Sequence, residues 1–167
     1  TGSSTPNTKG IMHSGAGRIV SIRMNTMSLY ESGDSSGMIS LSDLIQGKFE
    51  DSLIEEASLE KLAYLVVRGG WPKNINSKNP TINPKSYVET IINSNLTDEE
   101  GKRFSKNKIE HILKSLARNE STTASISRIA KDIEEIDEKN ISADTVARYI
   151  EEMEKMFLFN NQPPYSP

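Results

Sequence analysis

The sequence predicts a mainly α chain with a few short strands, and three observations carry that reading. Apolar residues recur at helical spacing over most of the length after residue 40. Serines stand where helices should begin, at Ser40, Ser58 and Ser142. Extended character is confined to two short runs, Ile19–Met24 and Phe157-Leu158-Phe159.

Composition bounds the rest. At 167 residues the chain can hold one domain with a real core or two small ones. Hydrophobic residues make up 35% and charged residues 26%, which fits a soluble globular class, and no apolar run approaches a membrane span. The opening Thr1-Gly2-Ser3-Ser4-Thr5-Pro6 has neither the basic start nor the apolar stretch of a signal peptide, so a cytoplasmic location is expected. It reads as the end of something, which leads us to expect an excised or processed segment. With no cysteine, disulfides and thiolate metal sites are excluded, and His13 and His111 stand too far apart for metal-ligand spacing. A net charge of −3 argues mildly against nonspecific binding along DNA.

Residues 13–33 organise the first part. Gly15 and Gly17 hinge a loop that delivers Arg18 to the strand 19–24, after which Glu31–Gly37 forms a polar turn. An arginine so placed is either a charge aimed at an anion or an ordinary surface arginine. One short strand cannot form a sheet with itself, so this part is expected to lack its neighbours.

Ser40 caps a short helix from Leu41 to about Gly47, with Asp43 at the reciprocal capping position and Leu44 and Ile45 expected on a buried side. Past an acidic connector, 48–56, a helix from Ser58 is expected to bury Leu59, Leu62, Ala63 and Val66. It stops at Arg68-Gly69-Gly70-Trp71-Pro72 for backbone reasons. Residues 73–83, rich in Asn, Lys and Pro, read as loop. Pro84 then opens a helix with Val88, Ile91, Ile92 and Asn95 inward. A charged hinge follows at 97–107, where a domain boundary is expected.

The last third has three helices: about Lys108–Asn119 with Ile109, Ile112, Leu113 and Leu116 inward; about Ser125–Glu134 with Ile126, Ile129, Ala130 and Ile133; and one capped by Ser142 with Val146, Tyr149, Ile150 and Met153. With the extended run at 157–159 this is the order of a winged helix. The connector 135–141 is longer than a usual helix-turn-helix turn.

Thr1-Gly-Ser-Ser-Thr5, His13-Ser-Gly-Ala-Gly-Arg18, Met27-Ser-Leu-Tyr-Glu-Ser-Gly33, Arg68-Gly-Gly-Trp-Pro72, Leu113–Asn119, Thr145–Ile150 and Asn161–Pro167 together resemble a family of prokaryotic ATPases. In that family an AAA+-type core is followed by a domain of unknown function. The resemblance implies a segment comprising the last strands of a P-loop ATPase core (1–40), a small helical lid (41–104), a winged-helix-like three-helix domain (105–162) and a tail (163–167) into a further domain. The family's P-loop would precede it, and no G-x-x-x-x-G-K-[ST] occurs in the chain, so ATP turnover by this chain alone is not expected. Ser3 or Ser4 would be the sensor near the γ-phosphate, and Arg18 the arginine finger reaching a neighbouring subunit's nucleotide. Arg68, Gly69, Gly70 and Pro72 would be the lid's nucleotide-side turn. Ser105-Lys-Asn-Lys108 departs from the Arg-Asp-Pro often found at that helix entry.

The resemblance implies ATP and Mg²⁺ as cofactors of the whole ATPase, with neither bound tightly here and no metal ligands in the chain. Its implied partners are the ATPase core, the following domain and further copies of the chain. Arg68 is expected to cap the carboxyl end of its own helix rather than bind phosphate, Trp71 to be a packing anchor, and His111 to be solvated. The third helix of the last domain carries Asp144, Glu151, Glu152 and Glu154 against Arg148 and Lys155, a charge pattern that disfavours DNA reading. A protein-interaction or interdomain connector is therefore the expected role, with winged-helix DNA binding, through such residues as Lys108, Lys114, Arg118, Arg128 and Lys131, as the alternative.

Overall fold

The structure is a computed structural model that describes residues 22, 24–48, 56–93, 96–97 and 101–162. Among these residues the chain is mainly helical: α1 (Leu41–Ile45), α2 (Leu59–Arg68), α3 (Pro72–Ile75), α4 (Ile82–Asn93), α5 (Lys106–Arg118), α6 (Ile126–Asp137) and α7 (Ala143–Lys155). Extended pairing among them is limited to one isolated antiparallel bridge between Thr97 and Arg103. No helix among them is long and apolar enough to cross a membrane. The described residues form two compact units that divide between Thr90 and Ile91, inside α4.

Four helices start on a serine hydroxyl that accepts a backbone N–H three residues on: Ser40 from Asp43, Ser58 from Lys61, Ser125 from Arg128 and Ser142 from Thr145. Each satisfies a donor the first helical turn leaves open. At α1 the Ser40 hydroxyl also donates to the Asp43 carboxylate at 2.6 Å.

The unit before the division departs from the sequence reading in several places. Of the expected strand 19–24, Ile22 and Met24 are described; neither is in a strand, and they are 87% and 92% exposed. Among the described residues there is no neighbouring strand for them to pair with. Leu44 and Ile45 of α1 are exposed, and so are Leu59, Leu62, Ala63 and Val66 of α2. The helical spacing is real, but nothing among the described residues covers that face. The segment 73–83 is not all loop, because Pro72 occupies the first position of α3 and α4 begins at Ile82, ahead of Pro84. A proline lacking its N–H is tolerated at both places because first-turn N–H groups have no partner within the helix.

The core lies in the second unit. Ile109 and Ile112 of α5, Ile129 and Ile133 of α6, and Val146, Tyr149, Ile150 and Met153 of α7 pack into one cluster closed by Phe104 and Ile141. Each such side chain contributes about 1.5–3 kcal/mol relative to exposure. The segment 97–107, read as a charged hinge, adds the Thr97–Arg103 bridge, a Phe104 N–H to Leu96 carbonyl bond of 2.9 Å, and the Phe104 ring, 4.3 Å from that of Tyr149. The Tyr149 hydroxyl accepts the Ser105 N–H at 2.9 Å, tying α7 to the start of α5.

Two expectations about this unit are corrected. Helix α6 runs on to Asp137, with Glu138 as a left-handed cap, so the connection to α7 is 138–142. The run 157–159 is not a strand. Phe157 takes φ 58°, its N–H bonds to the Glu154 carbonyl and the Leu158 N–H to the Met153 carbonyl. That is a Schellman cap on α7 with phenylalanine where glycine is usual. Leu158 and Phe159 then fold back onto the core.

Candidate functional site

Ser3, Ser4 and Arg18, the expected sensor and finger residues, lie outside the described residues. The described part of the expected site is the turn from Arg68 to Pro72. Helix α2 ends there because Gly69 takes φ 63° with ψ −169°, a conformation open essentially to glycine alone. Gly70 is required for a different reason. Its carbonyl accepts the Met27 N–H at 2.8 Å, and a Cβ on Gly70 would clash with the Met27 carbonyl oxygen.

Arg68 is buried, at 4% exposure, and each arm of its guanidinium is occupied. Nη1 donates to Asp34 Oδ2 at 2.7 Å, Nη2 to Ser32 Oγ at 3.2 Å, and Nε to the Gly69 carbonyl at 3.2 Å. Asp34 also accepts from the Ser32 hydroxyl at 2.8 Å and from Lys61 Nζ at 3.0 Å. The Ser32 hydroxyl, then Arg68, then Lys61 hold its carboxyl far below the usual carboxylate range. Both cations also lie near the Tyr64 ring, Lys61 at 5.7 Å and Arg68 at 5.8 Å from its centroid. Arg68 thus turns all three guanidinium nitrogens to the protein itself, Nε to the carbonyl of Gly69, the residue that ends its helix.

The rest of the turn is equally built in. Trp71 precedes α3 and meets the Tyr87 ring edge-on, with centroids 4.5 Å apart. Pro72 is exposed. Asn74, completely buried, donates through Nδ2 to the carbonyls of Arg68 (3.0 Å) and Pro80 (3.3 Å), while its Oδ1 accepts from Asn83 at 2.6 Å. Sequence reading missed Asn74, since an asparagine in an asparagine-rich stretch carries no signal of burial.

In the second unit α5 and α6 are joined by a charged cluster. Arg118 Nε and Nη2 donate to Asp132 Oδ2 at 2.9 and 2.6 Å, and Nη1 to Asp137 Oδ1 at 3.3 Å. His111 Nδ1 lies 2.8 Å from Asp137 Oδ2, so His111 is paired rather than merely solvated. The Arg118 hydrogen bond lowers the Asp132 pKa and is itself the main reason the arginine's pKa rises; His111, then Arg118, lowers that of Asp137. The seven-residue spacing from His111 to Arg118 puts both on one side of α5, the only hint available in sequence.

Four further basic groups in this unit are also matched. Lys114 pairs with Glu110, while Arg128 and Lys131 pair with Glu135. On α7, Lys155 bonds both Glu151 and Glu152. Among the described residues no group of three His, Asp or Glu side chains is placed to hold a metal ion.

Residues 59–167 match the family model described as a domain of unknown function, DUF8612. The match begins at the first residue of α2 and takes in α3 to α7. No curated protein matches the chain. Nor does any solved structure. The chain belongs to the DUF8612 family.

Proposed function

We propose that this chain is the coupling segment of a cytoplasmic AAA+-like ATPase, inactive by itself, in which a helical lid and a winged-helix-like connector transmit nucleotide state to a further domain. In this reading the whole protein binds ATP and Mg²⁺, Ser3 or Ser4 senses the γ-phosphate, and Arg18 completes a neighbouring subunit's site. Arg68, Gly69, Gly70 and Pro72 form the lid turn, where Arg68 acts as a positioning residue.

The observation that carries the proposal is the lock between residues 27–34 and the turn after α2. The Met27–Gly70 and Asp34–Arg68 bonds, 2.8 and 2.7 Å, join the segment that follows Arg18 in sequence directly to the end of α2. A shift at one is passed to the other through these two bonds, and the backbones approach so closely that a Cβ at Gly70 would strike the Met27 carbonyl oxygen. The connector role draws support from the second unit's charges. Of Lys108, Lys114, Arg118, Arg128 and Lys131, the last four are engaged with carboxylates, and α7 is acidic outside. A protein surface or neighbouring domain suits such a face better than a phosphate backbone.

The test compares Asp34→Asn with wild type in the full-length ATPase. Lowered turnover with nucleotide affinity retained supports coupling through the lock, and unchanged turnover refutes it. A second reading, DNA binding by the three-helix unit, is favoured by the short 138–142 connection between α6 and α7. It requires duplex binding that weakens steeply with salt and is lost on charge reversal within α7.

A further inference from the structure

The net charge of −3 conceals a strong segregation. From Lys61 to Val88 the chain carries Lys61, Arg68, Lys73, Lys78 and Lys85 and no Asp or Glu. Lys61 and Arg68 are spent on Asp34. Lys73, Lys78 and Lys85 are exposed, and among the described residues none has a carboxylate in ion-pair reach.

These lysines sit on three pieces of backbone that a single buried side chain stitches together. Asn74, next to Lys73 on α3, binds the Pro80 carbonyl in the loop that carries Lys78, and Asn83 at the start of α4, two residues before Lys85. The Trp71–Tyr87 ring contact closes the same element from its other end. The cations are therefore mounted on a fixed frame, interspersed with exposed Asn76 and Asn79 as neutral donors.

We propose that the element 71–87 is a docking surface for the phosphodiester backbone of nucleic acid, with Lys73, Lys78 and Lys85 as its phosphate contacts. Lysine serves as a point charge for phosphate without reading bases, so the surface binds irrespective of sequence. This site is in a different unit from the three-helix segment, and it stands whether or not the ATPase reading holds.

The test uses the full 167-residue chain and labelled oligonucleotides of about 30 nucleotides, single-stranded and duplex, starting near 20 mM salt. Three phosphate contacts predict affinity falling about twentyfold for single strand, or fortyfold for duplex, on a fourfold rise in salt. The form bound more tightly at equal salt identifies which nucleic acid is held. Binding quenches Trp71, the single tryptophan, two residues from Lys73. The triple substitution Lys→Gln at 73, 78 and 85 abolishes binding and the quench, and Lys→Arg at all three retains them. Unaltered far-UV circular dichroism of the Gln variant excludes misfolding as the cause; if that variant is misfolded, each single Lys→Gln change must instead reduce the salt slope by about 1. The proposal is overturned by absence of binding at low salt, by wild-type binding in the Gln variant, by loss of binding on neutralising Lys108 and Lys131 instead, or by equal competition from a polyglutamate peptide, which would mark an acidic protein partner.

Discussion

Asp132→Asn tests how the second unit is held together. Asp132 is 7% exposed, and its Oδ2 takes two donors from Arg118, at 2.9 and 2.6 Å. Hydrogen bonds to a charged group contribute about 1.5–3 kcal/mol each. Arg118 is 30% exposed and keeps Asp137 as a partner, so water and Asp137 recover part of that loss. The net cost should be about 2 kcal/mol, roughly thirtyfold in the folded-to-unfolded ratio. Urea unfolding of the full chain, followed by far-UV circular dichroism, should show a midpoint lowered by about 1–2 M with the slope unchanged. Removing both partners, as Arg118→Met with Asp132→Asn, should cost less than the sum of the single changes, because neither charge is then stranded. The difference also depends on pH. Arg118 lowers the Asp132 pKa, so its contribution is present above the ordinary Asp value of about 3.9 and fades as pH falls through its native value. Wild type and variant should therefore converge in acid. An unchanged midpoint at neutral pH, additive single changes, or a gap that persists at low pH would each refute the reasoning.

Gly70→Ala should disrupt the first unit, since the new Cβ meets the Met27 carbonyl oxygen; a loss exceeding about 2 kcal/mol is expected by Trp71 fluorescence during urea unfolding. Tyr149→Phe keeps the ring against Phe104 but removes the acceptor for the Ser105 N–H, costing about 1 kcal/mol in the second unit. Ile112→Ala, at a site with no exposure, should cost about 2–5 kcal/mol, and both second-unit changes are read by far-UV circular dichroism during urea unfolding.

How much of this was legible in sequence follows the range of the forces involved. The serine caps at Ser40, Ser58 and Ser142 act within a single turn, and the Val146-Tyr149-Ile150-Met153 face of α7 is set by local periodicity, so both can be read directly. The same periodicity in α2 marks an apolar face but cannot say what covers it, and Leu59 and Val66 stand exposed. The 157–159 run looked extended because its left-handed residue is Phe157 rather than a glycine that would announce a cap. Arg68 was legible as the last residue of a helix. Its partner Asp34 is 34 residues away in sequence, and no local pattern reports such a pair. The same holds for Asn74, whose three partners come from separate turns.

We propose that this chain couples nucleotide state within an AAA+-like ATPase. The most direct test of that proposal is ATP turnover by the full-length protein with and without Arg18→Ala, alongside nucleotide affinity. Turnover lost with affinity intact is the predicted result. Unchanged turnover, or a full-length protein that does not hydrolyse ATP, would contradict the account.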